Sequence, residues 1–216
     1  MQGCIATLMT FLEENPEAGA AAPLAYWDSE QAWLLPPAQL PTPATELMIA
    51  AAVRWPWLGR LISRRFRRWA LSCVRSEVPV VQQMLSGGLL MLRRTAIIDA
   101  GGLFDPDFFM YFEDTDLCRR LQKAGFQLYL LPAAKAQHAW EAAPQKVSLS
   151  VPSRLLYFQK QFPGSLLSAL LKYLERRGFP VRLPPDTDLG TVQTPPDFPV
   201  QPDRKSTRLN SSHRIR

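Results

Sequence analysis

Five carboxylates lie among aromatic side chains between residues 104 and 116, and their types and spacing suit acid–base chemistry. The acids are Asp105, Asp107, Glu113, Asp114 and Asp116, and the aromatic residues are Phe104, Phe108, Phe109, Tyr111 and Phe112. Aromatic side chains favour burial, whereas carboxylates favour water or cationic partners. A carboxylate in such surroundings tends to have a raised pKa, which suits a general base that removes a proton from a hydroxyl.

Asp114 has two compatible interpretations. It lies at the start of residues 115–124, whose apolar spacing predicts a helix with Leu117, Cys118 and Leu121 on its buried side. Asp is a favoured N-cap residue and stabilises a helix start by about 1 kcal/mol. Composition alone favours the cap over the catalytic base. The two roles can coexist, because a helix N-terminus can hold an active-site carboxylate.

Helix and strand patterns alternate around this acidic segment. Residues 4–14 have the spacing of an amphipathic helix, and residues 126–132 have the pattern of a strand. Residues 78–93 predict two strands separated by Gly87 and Gly88. Paired glycines inside a strand pattern indicate the close approach of another backbone or of a ligand.

Residues 78–140 resemble family 2 glycosyltransferases, especially the bacterial rhamnosyltransferase-like members. The residues that carry the resemblance are Gly87, Gly88, Arg93, Arg94, Gly101, Gly102, Phe104, Asp105, Glu113, Asp114, Asp116, Leu117, Arg120, Gly125, Pro132 and His138. The resemblance implies an α/β protein with a partial GT-A fold, in which helices flank a mixed sheet. It also implies inverting transfer of a sugar from a nucleotide-sugar donor to a glycan or polyprenyl-linked acceptor, in the synthesis of cell-surface polysaccharide.

The resemblance also implies roles for individual residues. Asp114 matches the base that deprotonates the acceptor hydroxyl, and His138 matches a position that helps bind the metal or the diphosphate. A neutral imidazole is a suitable metal ligand, but His138 can equally be a half-buried polar residue at a strand end. Trp140 is either a wall of the sugar pocket or a core residue. The predicted acceptor site comprises Glu113, Asp116, Gly87, Gly88 and Trp140.

The sequence departs from the family in its donor-binding part. Family members carry a βαβ nucleotide-binding region with an acidic motif that holds Mg²⁺ or Mn²⁺ and the diphosphate, and no such pattern precedes residue 78. We therefore expect a chain that begins within the domain, lacks the main metal-ligand motif and binds the donor weakly. The alternative is a non-catalytic remnant that binds glycan or a membrane surface.

The resemblance and the composition together divide the chain into three predicted parts. Residues 1–145 are predicted to be a partial GT-A domain, and residues 146–178 a C-terminal extension of amphipathic helix. Residues 179–216 form a Pro-rich tail with the composition of a disordered segment, and its last part, 203–216, has a foreign composition.

A cationic stretch over residues 44–75 combines many arginines with tryptophans, and Pro56 must break it. One interpretation is a solvated helix that packs on the domain through its Trp and Leu face. The other is a helix that lies on an anionic membrane surface, where Trp and Arg are favoured. A lipid-linked acceptor would make such a surface useful.

The overall composition excludes several classes of protein. Apolar residues make up 47% of the chain, which excludes wholly disordered protein. The net charge is +6, but residues 203–216 alone contain five Lys or Arg and one Asp, so the remainder does not suggest nucleic-acid binding. Three separated cysteines fit neither a disulfide framework nor a structural zinc site. We expect a cytoplasmic protein, peripheral on the inner face of the cytoplasmic membrane.

Overall fold

The computed structural model describes residues 3–27, 34–108, 110–138, 146–166 and 169. Its strands are β1 (Ala18–Tyr26), β2 (Val80–Gln82), β3 (Met91–Leu92) and β4 (Gln127–Gln137). Its helices are α1 (Cys4–Glu14), α2 (Pro43–Arg54), α3 (Pro56–Val74), α4 (Arg94–Asp99), α5 (Glu113–Lys123) and α6 (Lys146–Gln161). Trp140 and the predicted tail lie outside the described residues.

The strands form a mixed open sheet in the order β2-β4-β1-β3. The central strands β1 and β4 are parallel, and β2 and β3 pair with them in antiparallel orientation. The predicted α/β fold, with a mixed sheet flanked by helices, is therefore confirmed. The finer GT-A assignment stays a prediction.

Strand β4 is longer than the predicted strand over residues 126–132. Its pairing with β1 shifts register, since Pro23 faces Leu131 whereas Leu24 faces Lys135. Pro132 lies in this irregularity, where the missing N–H of a proline interrupts no ladder hydrogen bond. The strand therefore continues past a residue that the sequence pattern suggested as its end.

Helices cover both faces of the sheet. On one face, α4 and α5 pack over the sheet residues Ala20, Ala22 and Leu128, and the predicted buried side of α5 is confirmed by Leu117, Cys118 and Leu121. On the other face, Leu8 and Leu12 of α1 pack against β1 and β4. This burial of apolar area on both faces is the main stabilising contribution to the sheet.

The predicted cationic stretch forms two helices that meet at Trp55. Thr42 caps α2 by accepting a hydrogen bond from the Thr45 N–H, and Pro56 begins α3, so the predicted break is confirmed. Helix α3 packs on the sheet through a face that includes Phe66, Ala70 and Cys73.

Helix α6 joins the aromatic part of the acidic segment. Its residues Tyr157 and Phe158 are fully buried and form a cluster with Phe108 and Phe112. The helix therefore shares a hydrophobic cluster with residues on the other side of the predicted boundary at 145/146. The division of the chain at that boundary stays a prediction. Within the described residues, no helix combines the length and the apolar character needed to span a bilayer.

Candidate active site

The first turn of α5 carries the candidate catalytic carboxylate. The helix begins at Glu113, and its N-cap position is occupied by Phe112, which provides no side-chain cap hydrogen bond. The prediction that Asp114 or Thr115 starts the helix, with Asp114 as its cap, is therefore wrong. Asp114 instead lies inside the first turn, where the helix dipole favours a negative charge.

Two consecutive non-glycine residues before this turn have left-handed backbone conformations. The φ angles of Tyr111 and Phe112 are 65° and 67°. Such conformations cost of order 1–3 kcal/mol each, and they persist where the surrounding packing determines them. They turn the chain sharply into α5, so Phe112 packs in the aromatic cluster while Glu113 and Asp114 begin the helix. No sequence pattern predicted this turn.

Asp114 is held by the glycine turn. Its Oδ2 accepts a hydrogen bond of 2.9 Å from the Gly87 N–H, and its Oδ1 accepts one of 2.7 Å from the Thr115 N–H. A Cβ atom added at Gly87 would lie 3.1 Å from the Asp114 Cβ, closer than most real Cβ contacts. A glycine at this position therefore lets the backbone reach the carboxylate.

His138 lies against the next residue of the same turn. A Cβ atom added at Gly88 would be 2.9 Å from both Cε1 and Nε2 of His138. His138 directly follows β4, and its backbone N–H donates a 2.7 Å hydrogen bond to the Tyr26 carbonyl at the end of β1. The turn therefore brings Asp114 and His138 together at the carboxyl ends of the parallel strands, the edge where open α/β sheets bind ligands.

Glu113 is half-buried beside Asp114. Its Oε2 is buried without a hydrogen-bond partner in the part of the chain that the structure describes. Burial raises the pKa of Glu113, and the neighbouring charge of Asp114 raises it further. Burial without a partner for this oxygen therefore disfavours the charged form of Glu113.

Asp116 occupies a different environment from its two acidic neighbours. Only 1% of it is exposed, its Oδ2 accepts a 2.7 Å hydrogen bond from Arg120 Nε, and its Oδ1 accepts a 2.6 Å hydrogen bond from Gln161 Nε2. Arg120 also donates to the carbonyls of the turn at Ala100, Gly102 and Leu103. The geometry therefore favours a structural role for Asp116 over the predicted contact with an acceptor.

The segment from Gln83 to Gly87 runs along α5 in the opposite direction. Side chains of α5 form hydrogen bonds with it at four points. Gln122 bonds to the Gln83 carbonyl and Cys118 to Leu85. Thr115 bonds to Met84, and Asp114 to the Gly87 N–H. Burial raises the pKa of Cys118 to about 12, so its thiol stays neutral. The sequence signal for this alignment is the spacing of positions 114, 115, 118 and 122, which lie on one helix face, but it does not indicate the segment that this face meets.

Helix α6 anchors the loop that precedes α5. Ser153 Oγ donates a 2.7 Å hydrogen bond to the Met110 carbonyl, and the rings of Tyr157 and Phe112 lie 5.6 Å apart. Lys160 pairs with both earlier carboxylates of the acidic segment, at 2.6 Å from Asp105 and 2.5 Å from Asp107. No local sequence pattern indicates these roles of the α6 residues, because their contacts span more than 40 positions along the chain.

The described residues do not complete a metal site. Among them, no three His, Cys, Asp or Glu side chains are grouped closely enough to hold an ion. His138 could supply one nitrogen ligand beside the glycine turn. The predicted Mg²⁺ or Mn²⁺ therefore stays a prediction.

A short stretch of the chain is similar to known rhamnosyltransferases. It is 48% identical over 63 residues to the N-acetylglucosaminyl-diphospho-decaprenol L-rhamnosyltransferase of Mycobacterium tuberculosis H37Rv, which covers 29% of this chain and 20% of that protein. It is 42% identical over 53 residues to rhamnosyltransferase WbbL of Escherichia coli K12, covering 24% of this chain and 20% of that protein. No model of a protein family matches the chain. The similarity supports a glycosyltransferase relationship and spans about a fifth of each relative.

Proposed function

We propose that this chain provides the acceptor side of an inverting glycosyltransferase of family 2 with a GT-A fold, and that Asp114 is its catalytic base. The observation that carries the proposal is the position of Asp114, which the Gly87 N–H orients at the carboxyl edge of the parallel strands, with His138 against the same turn. The similarity to two rhamnosyltransferases supports the reaction class.

In the proposed reaction, Asp114 takes the proton from an acceptor hydroxyl. The hydroxyl oxygen forms a bond to the anomeric carbon of the donor sugar, and the bond from that carbon to the diphosphate oxygen breaks. The nucleoside diphosphate leaves with the electron pair, and attack from the opposite face inverts the anomeric centre. The Gly87 N–H holds one carboxylate oxygen, so the carboxylate is oriented before the acceptor arrives.

The proposed substrates follow from the names of the relatives. We take L-rhamnose as the transferred sugar and polyprenyl-diphospho-N-acetylglucosamine as the acceptor, since the mycobacterial relative is named for these groups. The nucleotide on the donor is what the family resemblance implies. Glu113, which is half-buried next to the base, is proposed to hold the acceptor through a hydrogen bond. A divalent ion, if used, would need most of its ligands from the diphosphate or from residues other than the described ones.

The decisive experiment measures sugar transfer by the complete protein that contains these residues. Asp114→Asn keeps the shape and removes the base, so we expect turnover to fall by about 10²–10⁴-fold. Asp99→Asn, an exposed carboxylate at the end of α4, is the matched control and should leave turnover unchanged. Near-normal turnover in Asp114→Asn would reject the base. Acceptor binding without turnover in the unsubstituted protein would favour the non-catalytic alternative.

A further inference from the structure

The corner between α2 and α3 exposes a cluster of large apolar side chains. Trp55 is 50% exposed and Trp57 65%, and they are followed one helical turn later by Leu61 at 49%. Val53, at the end of α2, is 46% exposed. Single exposed apolar residues are common on proteins, but a contiguous group of this kind marks an interaction surface.

A row of arginines continues from this corner along the outer face of α3. The row has helical spacing and consists of Trp57, Leu61, Arg64, Arg68 and Arg75. They lie opposite the α3 face that packs on the sheet. All three of these arginines are exposed. Within the described residues, none of them takes part in an ion pair, and α3 itself contains no acidic residue.

We propose that this α2–α3 surface docks the protein on an anionic lipid membrane. Tryptophan and leucine side chains at the corner suit the boundary between headgroups and acyl chains, and the arginine row suits lipid phosphates along the membrane plane. A helix of 19 residues is about 28 Å long, so α3 presents its whole row to the surface when it lies flat. The apolar corner distinguishes this surface from a purely electrostatic one.

Helix α6 connects this surface to the candidate active site. Tyr157 Oη donates a 3.0 Å hydrogen bond to the Pro41 carbonyl just before α2, and Arg154 pairs with Glu46 within α2. The same α6 holds the loop before Asp114. Docking is nevertheless independent of sugar transfer, because none of the surface residues belongs to the site, so either proposal can fail alone.

The test is co-sedimentation of the full chain with liposomes. One set is pure phosphatidylcholine, and the other contains about 30 mol% phosphatidylglycerol. We expect binding to the anionic vesicles that weakens as salt is added, and little binding to the neutral ones. Equal weak binding to both sets would overturn the proposal. Stronger binding to a single-stranded oligonucleotide than to the anionic vesicles would also overturn it, in favour of a nucleic-acid surface.

Two pairs of substitutions separate the charge from the apolar corner. Arg64→Gln with Arg68→Gln should weaken anionic binding by about fivefold per arginine. Trp55→Ser with Trp57→Ser should also weaken binding to the anionic vesicles. Added salt should not reproduce this loss, because salt screens charges and leaves apolar contacts in place. The control pair, Arg94→Gln with Ile98→Ser, changes an exposed arginine and a 65% exposed apolar residue on α4 and should bind as the unsubstituted chain does.

Urea unfolding identifies any variant that fails to fold. All the substituted residues are exposed, so each variant should unfold at nearly the same urea concentration as the parent. The assignment of the surface would be refuted if folded variants of both the arginine pair and the tryptophan pair bound vesicles as tightly as the parent. It would also be refuted if the control pair lost binding equally.

Discussion

Removal of the Arg120 side chain tests whether the buried Asp116 is a structural ion pair. Arg120→Ala deletes the guanidinium that meets Asp116 Oδ2 at 2.7 Å and donates to three carbonyls of the turn after α4. Asp116 would keep only its hydrogen bond from Gln161. The variant therefore leaves a carboxylate buried without its counter-charge.

The magnitude follows from this burial. Breaking a buried ion pair by removing one partner costs about 3–5 kcal/mol. The Arg120 side chain is 20% exposed, so water can partly solvate Asp116 in the variant, and we expect a loss near the lower end, about 3 kcal/mol. Since domains are stable by only about 5–15 kcal/mol, this is a large share of the total.

Urea unfolding followed by circular dichroism measures the loss. With a slope of about 2 kcal/mol/M, the midpoint should fall by about 1.5 M. Arg94→Ala, an exposed arginine on α4, should change stability by less than about 0.5 kcal/mol. A midpoint for Arg120→Ala that matches the control would refute the ion pair as a structural element. Asp116→Asn should also lower stability in urea unfolding. In the transfer assay, the KM of this variant for the acceptor should stay unchanged. A raised KM in folded protein would restore the predicted acceptor-binding role of Asp116.

Two further predictions concern the glycine turn and the half-buried acid. Gly88→Ala places a methyl group 2.9 Å from the His138 ring and should lower turnover by about tenfold or more. Gly164→Ala is the control, since it has open space around it and should not change turnover. Equal turnover in both variants would contradict the close approach of Gly88 to His138. Burial raises the pKa of Glu113 above its ordinary 4.5, because the folded state disfavours the charged carboxylate. The free energy of unfolding should therefore fall as the pH rises from about 4.5 through the raised pKa. Glu113→Gln should therefore gain stability relative to the parent between pH 4 and pH 7 in urea unfolding, and a difference that is constant with pH would refute this.

The left-handed pair before α5 explains why the acidic segment combines acids with aromatic residues. Phe108 and Phe112 pack against α6, while Glu113 and Asp114 begin the helix that follows. The sharp turn therefore separates the two chemical types that the sequence interleaves. Burial of the aromatic rings offsets the cost of the strained backbone.

Much of the local structure could be predicted from the sequence. Apolar periodicity identified α1 and the buried side of α5, and Pro56 identified the break between α2 and α3, because these features depend on neighbouring residues alone. The composition of the acidic segment indicated Asp114, the paired-glycine pattern indicated Gly87 and Gly88, and the resemblance added His138. Their functional roles stay predictions.

The sequence by itself determined the element types, the cationic amphipathic stretch and the residues able to do chemistry. The tertiary structure alone decided the partners of each acid. Asp116 looks equivalent to Asp114 in the sequence, yet it is buried in an ion pair with Arg120 and accepts a hydrogen bond from Gln161, while Asp114 accepts a hydrogen bond from the glycine turn. The physical reason is that a carboxylate's role depends on its partners and its solvation, and partners such as Gln161 lie 45 positions away along the chain.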